Sequence, residues 1–127
     1  MLTLTLLNQT FTIHRLEANT KIPESVLHSS FFFVTHTDEE LSLVLPDTVQ
    51  LESDRSDPGW ACFKVQGPLD FNLVGVLAGI SSVLAEAKIA IFALSTFDTD
   101  YILVKREQEW AARDALSSAG YRIRQDK

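Results

Sequence analysis

The sequence predicts an α+β protein whose second half follows a β-α-β-β-α-β order, and three observations carry this reading. Trp60–Gln66, Ile89–Ser95 and Tyr101–Lys105 are short runs rich in apolar and β-branched residues, the composition of buried strands. Phe71–Ala87 and Glu107–Ala119 lie between or after them and repeat apolar residues at helical spacing. The polar, turn-rich stretch Pro46–Gly59 separates this half from a first half that also reads as strands. The expected division is 1–57 and 58–127.

In the first half, Leu2–Leu7 and Phe11–Leu16 read as strands joined by a tight turn at Asn8-Gln9-Thr10. Pro23 precedes Glu24–Leu27, a short helix with proline in its first turn. Phe31–Val34 and Leu41–Leu45 are further strands around the polar tip Thr35–Glu40. In the second half, Trp60–Gln66 sets Ala61, Phe63 and Val65 on one face. Gly67-Pro68-Leu69-Asp70 breaks that strand, and the following helix carries Leu73, Val76, Leu77, Ile80, Leu84 and Ala87 as one stripe. Ala111, Ala112, Ala115, Leu116 and Ala119 form the inner face of the second helix. Gly120 suits its C-terminal cap, and Tyr121–Arg124 makes a last short strand.

Two helices on one side of such a ferredoxin-like sheet leave its other face open, yet Ile89, Ile91 and Ala93 alternate with the equally apolar Ala90, Phe92 and Leu94. The first half or a second copy of the chain is expected to cover that face. A faint internal repeat relates Thr35–Val44 to Thr96–Val104, allowing a shift of one or two residues; each is a Thr/Asp-rich tip followed by a strand. Chance likeness of two polar hairpins is the competing explanation.

Composition narrows the function. Of 127 residues, 46% are hydrophobic and 22% charged, which is globular composition rather than disorder. The formal charge of −6 and a pI near 4.9 disfavour nucleic acid and anionic lipid as partners. No apolar run approaches the roughly 18 residues a membrane helix needs. Met1–Thr5 alternates and lacks a basic region, so it reads as a strand and not a signal peptide. With Cys62 as the single cysteine, no intrachain disulfide forms, and a cytoplasmic location is expected.

The most informative segment is Ala93–Val104, two apolar runs around Ser95-Thr96-Phe97-Asp98-Thr99-Asp100. Its tip has no glycine, although a two-residue hairpin favours Asn-Gly or Asp-Gly. Two carboxylates this close repel unless solvated or facing a cation. The tip is thus either a decorated turn or a site for a cationic group. The turn Gln66–Asn72 offers a second element: Gly67 permits close backbone approach, and the helix start presents N–H donors to a carboxylate. Asp70 or Asn72 as an ordinary helix cap is the simpler reading of that turn alone. Together, donors for a carboxylate and Thr96, Asp98 and Asp100 for an ammonium meet the needs of a free amino acid.

Catalytic readings find little support. His14, His28 and His36 lack metal-ligand spacing, and no nucleophile elbow, P-loop or dinucleotide fingerprint is present. Lys64-Val65-Gln66-Gly67 resembles acylphosphatases, but the loop that follows has Asp70 and no phosphate-binding arginine. A non-enzymatic protein without cofactor or metal is expected. Trp110 points away from the Ala112/Leu116 stripe, as an interface anchor or as packing against the first half. Cys62 reads as a packed, unreactive thiol.

With those residues in view, the chain resembles the ACT-domain proteins, especially small bacterial ones with two ACT-like modules. Val65–Phe71, Gly75-x-x-x-Gly79-Ile80 and Ile91–Val104 carry the likeness, and Asp38–Ser42 adds to it more loosely. Similar modules form the regulatory parts of aspartate kinases and the animal cytosolic arginine sensor. The resemblance implies two ferredoxin-like ACT modules, the N-terminal one degenerate, binding an amino acid at module interfaces. By likeness to the sensor's Ser-Thr-Phe-x-x-Asp segment, it points to Thr96, Phe97 and Asp100 as ligand residues. The full expected set is Gly67, Asp70, Phe71, Asn72, Thr96, Phe97, Asp98 and Asp100. The sensor has four modules, a number that a homodimer of this chain restores. The expected function is a non-catalytic amino-acid sensor acting through oligomer or partner interfaces. The alternative is a structural interaction module that has lost its ligand.

Overall fold

A computed structural model of the chain describes residues 2–67 and 74–126. The elements in chain order are β1 (Thr3–Leu6), β2 (Phe11–Leu16), α1 (Glu24–Leu27), β3 (Phe33–His36), β4 (Leu41–Pro46) and β5 (Arg55–Val65). They continue as α2 (Val76–Glu86), β6 (Phe92–Ser95), β7 (Asp100–Lys105), a 3-10 turn at Arg106–Gln108, α3 (Glu109–Ser118) and β8 (Arg122–Gln125). The chain divides into two compact units. An N-terminal unit spans Gln9–Gly59, and a C-terminal unit joins the residues up to Asn8 with those from Trp60 onward.

In the N-terminal unit, β2 and β4 pair antiparallel with Ile13 opposite Val44, and β3 pairs antiparallel with β4. Alternation puts Leu16, Leu41, Leu43 and Leu45 into one buried cluster with Val26 of α1. Pro23 opens α1, where a missing backbone N–H costs nothing. That helix is a single turn, so this unit has little of a helical layer. Strand β3 begins at Phe33 rather than Phe31. The Phe31 ring instead meets Phe11 at 4.9 Å and Phe33 at 5.2 Å between centroids.

The C-terminal unit contains β5-α2-β6-β7-α3-β8, the expected order, with one strand more. Strand β1 pairs antiparallel with β5, setting Leu4 opposite Val65, and parallel with β8, setting Leu4 opposite Ile123. The sheet is therefore mixed and runs β8-β1-β5-β7-β6. The expected hairpin between Leu2–Leu7 and Phe11–Leu16 does not form: β1 takes its partners from the far end of the chain, and β2 pairs with β4. Alternation fixes which face Leu4 and Leu6 occupy, but it carries no information on the strand beside them.

Helices α2 and α3 cover one face of this sheet. Leu4, Leu6, Phe63, Val65, Ile102 and Val104 meet Ile80, Leu84, Ala112 and Leu116 in a single core. Each fully buried aliphatic side chain of this kind contributes about 1.5–3 kcal/mol. On the opposite face Trp60, Cys62 and Leu103 are also buried within the single chain.

Several boundaries shift for physical reasons. The helix expected from Phe71 starts at Val76, after Gly75 adopts a left-handed φ of 81° at the cap; Phe71 and Leu73 lie outside the described residues. Ala111 and Ala119, expected on the inner face of α3, are exposed: the buried stripe is Ala112 and Leu116, one turn apart, Ala111 lies about 100° round the helix from Ala112, and Ala119 is the C-terminal cap. Ile89–Ser95 contracts to Phe92–Ser95, and Ala90 and Ala93 are exposed, so the second face is less apolar than expected. Part of the polar stretch Pro46–Gly59 becomes strand, since β5 opens at Arg55 and passes through Pro58 and Gly59, the glycine at φ 79°.

Both long helices end alike. After α2, the Ile89 amide donates to the Leu84 carbonyl and the Lys88 amide to Ala85, each at 2.9 Å. After α3, Tyr121 donates to Leu116 and Gly120 to Ser117, each at 3.0 Å. The left-handed position of this cap is Gly120 in one case and Lys88, at φ 62°, in the other.

Candidate ligand site at the hairpin tip

The β6–β7 hairpin closes without glycine because a threonine side chain replaces it. The Thr96 amide donates to the Thr99 carbonyl at 2.8 Å. The Thr96 hydroxyl lies 3.1 Å from that carbonyl and accepts the Thr99 amide at 3.2 Å. Such hydroxyl–backbone bonds imitate a backbone turn. Thr99 is itself buried, 5% exposed, and its hydroxyl donates to the Val65 carbonyl at 2.7 Å. That bond ties the hairpin tip to the end of β5.

A cavity of about 260 Å³ opens at this junction, lined by Lys64, Gly67, Thr96, Asp98, Thr99 and Tyr101. Strand register explains the pairing of elements: Lys64 of β5 stands opposite Tyr101 of β7, on the face away from Phe63 and Ile102. Burial pushes the Tyr101 phenol above its ordinary value, helped by Cys62 and the Asp98 carboxylate, so it stays a neutral hydroxyl. Burial likewise pushes the neighbouring Cys62 thiol up to about 12, which leaves it unreactive. The cavity thus offers one cation, one carboxylate and three hydroxyl groups.

Of the residues expected from sequence, Gly67, Thr96 and Asp98 come together in this lining. Asp100 does not: its carboxylate accepts the Ser95 hydroxyl at 2.5 Å on the strand pair below the tip. Phe97 is 79% exposed at the apex and is not among the lining residues. Asp70, Phe71 and Asn72 lie outside the described residues. Lys64, Thr99 and Tyr101 are additions. The Lys64–Tyr101 proximity follows from cross-strand register, which a single sequence does not fix; the Thr99 bond to Val65 left no local signal.

A profile of the ACT domain matches residues 55–118, half of the chain. The chain belongs to the ACT-domain family. Its ACT fold is α+β with a mixed sheet, similar to that of protein Atu0741 from Agobacterium tumefaciens. That crystal structure is 36% identical, with a TM-score of 0.90, over 99% of this chain and 94% of that one. A Vibrio cholerae protein, VC0802, described as a possible transport protein, shares the fold at 21% identity and a TM-score of 0.71, over 92% and 88% of the two chains. So does the allosteric aspartate kinase of Clostridium acetobutylicum, at 17% identity and a TM-score of 0.67, over 88% of this chain and 33% of the kinase. A search of curated proteins returns no match. ACT domains are non-catalytic regulatory modules that bind small ligands. Among the described residues, no group of three or more His, Cys, Asp or Glu could hold a metal ion, and no helix is long and apolar enough to cross a membrane.

Proposed function

We propose that this ACT protein is an amino-acid sensor whose ligand sits in the cavity at the β6–β7 tip. The observation that supports this is the pairing of Lys64 and Asp98 in one cavity. An ammonium finds its counter-charge in Asp98 and a carboxylate finds its own in Lys64, while the Thr96, Thr99 and Tyr101 hydroxyls surround both. Gly67 leaves room for close approach, and Asp70, Phe71 and Asn72, which lie outside the described residues, are assigned to the same site from the sequence. Phe97 and Asp100 flank the site, and Asp100 holds the strand pair beneath it through Ser95.

The chain is read as two ACT-type modules, near 1–57 and 58–127 in sequence, the first degenerate, with β1 completing the sheet of the second. The shared threonine closure of the Thr37–Glu40 and Thr96–Thr99 tips supports that duplication. In this reading a homodimer formed through a sheet edge or face transmits the ligand signal; Trp60, Cys62 and Leu103, which are already buried within one chain, do not call for it. A cytoplasmic setting suits its single buried thiol. Isothermal titration against the twenty amino acids tests the sensor; no heat at millimolar ligand removes it. Light scattering that gives a monomer at micromolar concentration removes the dimer and leaves the ligand reading standing.

One observation favours a second reading, a structural interaction module without ligand. Trp110 is 74% exposed, with the Arg113 guanidinium 4.6 Å from its ring centroid. A pull-down with the wild type and Trp110→Ala, each with and without amino acids, separates the two. Capture that depends on Trp110 and ignores amino acids belongs to the second.

A further inference from the structure

We propose that the N-terminal unit holds a separate small-molecule site, selective for an organic ammonium ion with a short apolar body. A cavity of about 490 Å³ lies wholly within that unit, with Thr12 and His14 of β2 on one side and Asp47, Leu51 and Glu52 of the β4–β5 connection on the other.

The Ser53 hydroxyl lies 2.9 Å from His14 Nδ1 and 3.1 Å from the Arg55 carbonyl, so one ring nitrogen of His14 is paired. The ring is 5% exposed and Nε2 has no hydrogen-bond partner. Burial holds the imidazole below its ordinary value against the opposing pull of Asp47, which favours the neutral ring.

One Asp47 oxygen takes the Thr12 hydroxyl at 2.5 Å, and the Glu52 carboxylate stands at the same cavity. Among the described residues no lysine or arginine lines it, while the Gln50 amide and the Ser56 hydroxyl do. Two carboxylates without a basic partner in the lining suit a ligand that brings a positive charge and N–H donors. Val49 and Leu51, which pack on the N-terminal core, and Pro58 give an apolar wall for its carbon body. A metal ion fits less well, because no group of three or more candidate ligands occurs among the described residues.

The test uses n-butylammonium chloride titrated into the intact chain, followed by nitrogen-edited NMR of the backbone and the histidine rings. Expected are shifts confined to residues 12–58 and movement of the His14 ring-nitrogen resonances on addition of the amine. n-Butanol, which lacks the charge, and tetramethylammonium, which lacks N–H donors, bind at least about tenfold more weakly. Asp47→Asn, which keeps an acceptor for Thr12, and Glu52→Gln each weaken the amine by about tenfold with an unchanged circular dichroism spectrum. Any of three results overturns the proposal: no shifts within residues 12–58 at high millimolar amine, equal binding of n-butanol, or shifts that leave the His14 ring untouched, in which case a bridging water holds Nε2. Shifts centred on Thr96–Tyr101 instead assign the amine to the other cavity and overturn it equally.

Discussion

At the tip between β3 and β4, the Thr37 amide donates to the Glu40 carbonyl at 2.9 Å, and the Thr37 hydroxyl accepts the Glu40 amide at 3.1 Å. At the tip between β6 and β7, Thr96 and Thr99 repeat both bonds at 2.8 and 3.2 Å. The backbone solution is shared, but its fourth residue differs. Glu40 is a charged side chain in a turn whose residues are largely exposed, whereas Thr99 is buried and reaches the Val65 carbonyl. A threonine closure is therefore a turn device on its own. It takes on a second role only where the last residue of the turn is small enough to enter the sheet and anchor a cavity.

The sharpest break in this comparison is Thr99→Val. It strands the Val65 carbonyl in a buried setting, and urea unfolding should report a loss of about 1–3 kcal/mol. Glu40→Gln, at the equivalent place in the other tip, should change stability by less than about 0.5 kcal/mol. Asp98→Asn should weaken amino-acid binding by about tenfold or more in isothermal titration and leave the unfolding midpoint unchanged, because an exposed carboxylate contributes little to folding. Asp38→Asn should leave that affinity as it was. Thr37→Val and Thr96→Val should each cost about 0.5–1.5 kcal/mol, and near-equality of the two would establish that the closures are the same device. A large loss at only one of them would separate the tips.

The gentlest expected difference between the units concerns acid. His14 is held neutral by burial, so its folded-state pKa lies below the ordinary 6.5. The unfolded chain binds the proton more readily, and stability is lost as pH falls through 6.5 toward the depressed folded value. A His14→Leu variant should flatten that part of the unfolding profile.

How much of this was legible depended on whether the deciding contact was local. Phe11–Leu16 and Glu24–Leu27 are observed with the bounds their alternation and proline imply. The βαββαβ order came through because its helices carry long stripes, with Ile80, Leu84, Ala112 and Leu116 all buried. What stayed hidden was set by neighbours distant in sequence. Leu4 gives no hint that Val65 and Ile123 flank it. Pro58 and Gly59 read as breakers, yet a strand at whose start Arg55–Pro58 are exposed tolerates them. At the site, composition exposed the acidic tip but could not tell which carboxylate faces the cavity. Ser95 decides that for Asp100, and register brings in Lys64.

The placement of β1 has a consequence in time as well as in space. It lies between β5 and β8, bonded to Phe63–Val65 on one side and to Arg122–Gln125 on the other. On the ribosome β1 emerges before either partner, and the sheet cannot close until β8 has left the exit tunnel. The N-terminal unit draws its core from residues 16–51 and has no such wait. Domains rich in distant contacts fold slowly. A pulse-labelled nascent chain stalled after β7 should therefore resist protease across Phe11–Pro46 while β1 is still cut. For that interval Leu4 and Leu6, both buried in the finished sheet, are left as an exposed hydrophobic segment and a natural target for a chaperone.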